Sequence, residues 1–208
     1  MDKKGCLFDV FYTCEDLDEI RNGVVVGNAR FDAGRKLSRI YSIDGDSVIG
    51  VPNSAIRIGE GYAFESGIKL ATAVTRNPLF GRSFLQPDKQ SQVNTAQNKF
   101  IYDQEQIEGQ RLVVIDDSIV RGNVSKIIAE NLRKRGAKEI HFLTASPLII
   151  NQCVQGKRDF HDLINNRVSN LKGFLKVDSL HFMPPKDALE TYCAEGKGCG
   201  KCMGDFEL

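Results

Sequence analysis

The run Arg111-Leu112-Val113-Val114-Ile115, followed at once by Asp116-Asp117, constrains the fold of this chain more than any other stretch. Four consecutive apolar residues with no polar alternation predict a strand buried on both faces, which a sheet achieves when helices cover each side. The same theme recurs nearby. Ser47-Val48-Ile49-Gly50-Val51 halts at Pro52-Asn53-Ser54, and residues 55–65 then have helical character until Ser66-Gly67 closes them. Residues 68–74 alternate and are β-branched, which predicts a strand. Val124, Ile127, Ile128 and Leu132 repeat at helical spacing, Gly136 stands where a left-handed cap is wanted, and residues 140–145 supply another strand. Strands alternating with helices predict an α/β class fold, an open parallel sheet with helices on both faces.

Length and charge narrow the rest. The 208 residues suit one domain, with no internal repeat or linker, so residues 1–208 are expected to form a single unit with a Cys-rich segment, 186–208, packed on it. A balance of 28 Lys+Arg against 27 Asp+Glu leaves +1, too little field to recruit nucleic acid or an anionic membrane. No apolar run approaches the roughly 20 residues that span a bilayer, and the start lacks a signal-peptide core, so a cytoplasmic location is expected. In that compartment the six cysteines read as metal ligands or buried thiols rather than disulfides. Residues 75–110 are polar and aperiodic, and a loop of that length is expected to be functional.

Asp116 and Asp117 fall at the carboxyl end of a buried strand, where open α/β sheets bind ligands, and a short polar loop then feeds a helix amino end. Orphan N–H groups at that end suit a phosphate. Two carboxylates beside a phosphate would repel it unless they face sugar hydroxyls or a divalent cation. Mg²⁺ prefers one or two carboxylates plus substrate oxygens. An N-cap with a solvated neighbour is the bland reading of an isolated Asp-Asp pair.

This segment resembles the phosphoribosyl pyrophosphate (PRPP) motif of type I phosphoribosyltransferases. The longer string Asp116-Asp117-Ser118-Ile119-Val120-Arg121-Gly122 looks like that of the glutamine PRPP amidotransferase family, which opens purine biosynthesis. Val51-Pro52-Asn53-Ser54, Gly61-Tyr62-Ala63, Gly81-Arg82-Ser83-Phe84, Ala145-Ser146-Pro147 and Asp178-Ser179-Leu180 match in the same order. The resemblance implies that Asp116 and Asp117 hold the ribose hydroxyls, with Mg²⁺ at Ser54, Asp116 and Asp117. Ser118, Arg121, Gly122, Asn123 and Ser125 would cradle the 5′-phosphate, while Arg82 would act in a mobile lid over residues 76–99. The implied reaction displaces pyrophosphate from C1 of PRPP by ammonia or a small amine.

Cys199-Gly200-Lys201-Cys202 alone is a weak metal signal. Iron–sulfur members of the family carry cysteines where this chain has Cys6, Cys153, Cys199 and Cys202, which implies a structural [4Fe–4S] cluster. Four thiolates suit a closed Zn²⁺ site equally well.

The chain also departs from the pattern. No segment resembles the family's glutaminase domain, so ammonia is expected from solution or from a separate glutaminase subunit, and a homo-oligomer is compatible with the sequence. Asn53 stands where an acid is usual, Asn123-Val124 where hydroxyl residues are usual, and Pro78 and Gln92 replace lid arginines. These changes fall at ligand-facing positions and leave a second expectation beside the enzyme: a PRPP- or nucleotide-binding regulatory or partner-docking domain without catalysis.

Overall fold

The computed structural model describes residues 5–79, 98–156, 158, 160, 162–195 and 198–204. Five parallel strands form the central sheet in the order β4 (Lys69–Leu70), β3 (Ser47–Gly50), β7 (Arg111–Asp116), β8 (Glu139–Thr144) and β9 (Ser179–Phe182). Leu112, Val113, Val114 and Ile115 are all buried, as both faces of the central strand are covered.

Two crossovers leave the middle of the sheet in opposite directions. From β3 the chain passes through α2 (Ile56–Ser66) to β4, whereas from β7 it passes through α3 (Asn123–Lys134) to β8. Right-handed crossovers running opposite ways place their helices on opposite faces and open a crevice between β3 and β7 at the carboxyl ends. Both predicted turns, 52–54 and 117–122, lie there.

A long helix that the sequence reading did not identify, α1 (Val26–Ile40), packs on α2. It buries Val26, Ala29, Ala33 and Leu37, small or medium residues that make a thin apolar stripe. The two helices cross nearly backbone to backbone. A Cβ on Gly34 would stand 1.9 Å from the Ile58 carbonyl oxygen, and one on Gly61 would stand 1.9 Å from that of Phe31. Glycine is required at this crossing for its lack of a side chain.

The predicted strand over 68–74 divides. Lys69–Leu70 forms the sheet edge beside β3, and the chain then leaves to pair β5 (Val74–Arg76) antiparallel with β6 (Phe100–Tyr102) in a separate ribbon. β-branched alternation fits both partners, and tertiary pairing decides between them. Part of the predicted 75–110 loop is therefore strand.

The carboxyl-terminal third closes the domain. Helices α4 (Leu171–Leu175) and α5 (Pro185–Tyr192) flank β9, and the buried Tyr192 hydroxyl donates to the Ala145 carbonyl at 3.0 Å. At the other end of the chain, β1 (Ile20–Arg21) and β2 (Val24–Val25) make a short antiparallel ribbon ahead of α1, after a π-helical turn, Asp9–Thr13. No helix among the described residues is long and apolar enough to cross a membrane.

Candidate active site

Parallel pairing brings the two turns together. Gly50 is in register with Ile115, and the Val51 N–H donates to the Ile115 carbonyl at 2.8 Å, so the chain after β3 runs beside the chain after β7. On the other side, Ala145 and Ser146 donate to the Asp116 and Asp117 carbonyls, both at 2.9 Å. The two aspartates are thus fixed by backbone from both neighbours before any side chain acts.

The two residues are 6% and 5% exposed. Ser54 and Ser118 hydroxyls both donate to Asp117, the latter at 2.6 Å, and the Asp117 N–H donates to Asp116 at 2.9 Å. Burial pushes the pKa of both acids up, and for Asp116 the negative charge of Asp117 adds to this. The Ser125 hydroxyl opposes the shift at Asp116. Ser118, Ser54, the Arg30 guanidinium and Lys99 oppose it at Asp117. No ion pair joins either acid to a cation among the described residues, so ionising both leaves charge that a bound cation or hydroxyl-rich ligand would satisfy.

The following loop ends at Gly122, whose φ of 73° precedes α3 and favours glycine. Arg121 and Asn123 are exposed, as is Val124. Ser125 is buried with its hydroxyl on the Asp116 side, so the structure sets it beneath the loop rather than at the helix's outer rim. Arg82 lies outside the described residues, as does most of the lid.

Beside the Pro52–Ser54 turn a cavity of about 420 Å³ is lined by Gly27, Asn28, Arg30, Asn53, Ser54 and Arg57, among others, a volume suited to a small polar ligand. A larger depression of about 600 Å³ near Ser42, Gly45 and Ser66 lies at the amino ends of the strands, away from the diacid. The 420 Å³ cavity adjoins the chemistry.

Three charged or polar groups at the site escaped the sequence reading. Arg30, 3% exposed, donates to the Val10 and Cys14 carbonyls at 2.9 and 2.7 Å and places a buried cation behind Asp117. Tyr12 is half exposed, and burial together with the charges of Asp117 and Asp116 raises its pKa. Arg158, paired with Asp9, reaches Tyr12 electrostatically. No motif marks them; the unrecognised α1 brings in Arg30, the π-helical turn brings in Tyr12, and Asp9 of that turn holds Arg158.

Cys6, Cys153 and Cys199 lie within electrostatic reach of Cys202 at another corner. Cys6 and Cys199 form an isolated parallel bridge, with Leu7 donating to the Cys199 carbonyl at 3.1 Å and Cys199 donating to that of Gly5 at 2.8 Å. Ile150 and Asn151 donate to the Cys202 carbonyl at 2.8 and 3.0 Å. Burial pushes the Cys202 thiol up to about 12, helped by the charges of Cys6, Cys153 and Cys199. All are free thiols. Among the described residues no three His, Cys, Asp or Glu side chains stand close enough to hold a metal ion, so the thiols are neighbours rather than a formed coordination sphere.

Comparison with known proteins places this geometry. The chain is 39% identical over 214 residues to amidophosphoribosyltransferase of Mycobacterium tuberculosis, a match that covers 93% of the chain and 40% of that protein. Its homologues are amidophosphoribosyltransferases. Among solved structures, that of the allosteric regulatory enzyme of purine biosynthesis superposes with a TM-score of 0.87 at 28% identity, over 98% of this chain and 46% of the other. Glutamine PRPP amidotransferase from B. subtilis, complexed with ADP and GMP, gives 0.84 at 28% identity over 97% and 46%. No family model matches. The parallel sheet, the crevice at β3 and β7 and the covering helices are therefore those of the type I phosphoribosyltransferase domain of amidophosphoribosyltransferase. The chain spans less than half the length of these amidophosphoribosyltransferase relatives.

Proposed function

We propose that this chain is a Mg²⁺-dependent phosphoribosyltransferase that transfers ammonia or a small amine to C1 of PRPP and releases pyrophosphate. The observation that carries the proposal is the buried pair Asp116–Asp117, joined to no cation by an ion pair among the described residues, at the switch point of the sheet. Such a pair suits the 2′- and 3′-hydroxyls of a ribose, each of which donates to a carboxylate. The loop from Ser118 to Gly122 and the first turn of α3 take the 5′-phosphate, whose charge the helix amino end favours. The Pro52–Ser54 turn and its adjoining cavity receive the pyrophosphate. As N–C1 forms, C1–O breaks with its electron pair leaving on pyrophosphate, and one proton passes from nitrogen to water. Positive charge develops at C1 beside two carboxylates, an arrangement that stabilises an oxocarbenium-like state. Asp116, Asp117 and Ser54 are the residues that would hold Mg²⁺, and their donor set of two carboxylates and a hydroxyl fits its oxygen preference. Mg²⁺ would supply charge neutralisation of the leaving group. Arg82, in the lid, is assigned the same task from the family pattern.

The test is calorimetry and product analysis on the pure chain. PRPP with Mg²⁺ should bind, ammonium should yield pyrophosphate and phosphoribosylamine, and Asp116→Asn with Asp117→Asn should abolish binding. Binding without turnover by any amine would instead favour the sensor reading, for which exposed Val124, with no hydroxyl to offer phosphate, is the motivating observation.

The cysteine corner is proposed to hold a [4Fe–4S] cluster through Cys6, Cys153, Cys199 and Cys202, with structural Zn²⁺ as the competing occupant. The supporting observation is the chemistry of the donors: Cys6, Cys153 and Cys199 lie near enough to Cys202 for their charge to help hold its thiol protonated, a repulsion that a multivalent cation reverses.

A further inference from the structure

Residues 162–168 pack against the loop that joins β7 to α3. The Ile164 N–H donates to the Val120 carbonyl at 2.9 Å, and the Arg167 guanidinium donates through Nη2 to the Arg121 carbonyl at 3.1 Å. Arg167 is itself steadied by Asp162, 2.9 Å from Nε. The Ile164 side chain fills the space a Cβ on Gly122 would need, 2.2 Å from Cδ1. Two successive loop carbonyls are therefore drawn to one side.

Each of these peptides is trans, the single cis bond of the described chain being Pro52–Asn53. In a planar trans peptide the N–H points opposite to its C=O. Holding the Val120 and Arg121 carbonyls against the 162–168 segment accordingly turns the N–H groups of Arg121 and Gly122 to the opposite face of the loop. At the Arg121–Gly122 peptide this orientation needs an external hold. Glycine accepts both signs of φ with little penalty, so the peptide can turn over, and a turned peptide would present a carbonyl oxygen to an anion.

We propose that Arg167 is a positioning residue for phosphate recognition: by gripping the Arg121 carbonyl it keeps the Gly122 N–H directed at the 5′-phosphate of the bound sugar. This rests on the reading of the 118–125 loop as the phosphate site. Arg167 touches no substrate; it acts through the peptide it holds. Its own ion pair is half exposed, so stability is a minor part of its role.

The experiment compares wild-type full chain with Arg167→Ala, Arg167→Met and Arg167→Lys, measuring by calorimetry the binding of ribose 5-phosphate and, separately, of pyrophosphate with Mg²⁺. Losing one hydrogen bond that orients a charged contact should weaken ribose 5-phosphate about tenfold in the Ala and Met variants. Pyrophosphate, read at the other turn, should change less than about twofold, and Lys should recover part of the loss. Met keeps the aliphatic stem and so carries the test if Ala fails to fold. Wild-type ribose 5-phosphate affinity in both variants, or an equal loss of both ligands, would overturn the assignment of Arg167 while leaving the site reading intact. A wild-type chain that binds neither ligand would overturn the site reading itself and this inference with it.

Discussion

Asp116 and Asp117 show how one pair of residues sets stability against function. Their raised pKa means that the folded chain holds these protons more tightly than the unfolded chain does. The resulting stabilisation is complete below the ordinary carboxylate value of 3.8 and is lost as pH rises through the folded-state values. Ligand-free protein should therefore lose this contribution to its thermal stability as pH climbs above 3.8, while affinity for Mg²⁺ grows over the same window; melting series at fixed ionic strength with and without Mg²⁺ check both. Asp117→Asn removes the charge, and the Ser54 and Ser118 hydroxyls can rotate to bond the amide. Each kcal/mol recovered should raise the Tm by about 2–4 °C in a chain of this size. The same variant should bind no PRPP. Asp46 behaves oppositely: hydrogen bonds from Arg111 pull its pKa down to about 2, so its contribution is present above 3.8 and fades as pH falls toward 2. The diacid was legible in the sequence because the seven residues from Asp116 to Gly122 match the PRPP motif with the flanking elements in order, whereas an isolated Asp-Asp pair would read as an N-cap. Arg30 and Tyr12 were not, since an arginine or tyrosine carries no positional mark until the fold brings it behind or above the acids.

At the scale of elements, β3, β7 and β8 could be read from their apolar runs and α3 from the helical spacing that carries the buried Ile128 and Leu132, although Val124 at the head of that spacing is exposed. Helix α1 could not. Its buried side is built from Val26, Ala29, Ala33 and Leu37 with Arg30 and Gly34 among them, a stripe whose meaning lies in the close approach of α2 rather than in its hydrophobicity. Gly34→Ala would drive a methyl into the Ile58 carbonyl, a backbone obstacle that no rotamer change relieves. The cost should be at least about 1–3 kcal/mol, read as a lower urea midpoint with little change in m-value. Gly61→Ala acts on the same crossing, so the double variant should deviate from the sum of the two. Because α1 also carries Arg30, Gly34→Ala should weaken PRPP binding as the guanidinium shifts, whereas an exposed change such as Lys134→Ala should leave both readouts alone. The division of residues 68–74 between two sheets was illegible for a different reason: strand propensity names the conformation and leaves the partner open.

For the whole molecule, the cysteine corner joins parts of the chain that no local element connects. Cys6 precedes the π-helical turn, Cys153 follows β8, and Cys199 and Cys202 follow α5, with Cys6 and Cys199 already bridged by backbone. A metal bound there would tie both ends to the sheet and add binding free energy to folding. With Cys202 pushed up to about 12, each thiol that becomes a ligand must first release a proton, so metal uptake should steepen with pH. Protein purified without oxygen should be brown and carry about four iron and four sulfide per chain. Colourless protein with about one Zn²⁺ would instead mark the closed tetrahedral site. Cys202→Ser should lose the metal and lower the Tm, and limited proteolysis should then cut near residues 198–204 first, since the metal's ties would be gone there while the backbone bonds to residues 5, 7, 150 and 151 remain. Cys14→Ser is the control: that thiol donates to Glu19 at 2.8 Å, away from the corner, and its loss should leave metal content unchanged. Retention of full metal by Cys202→Ser would show that the four thiols do not share one ion or cluster, however closely their charges interact.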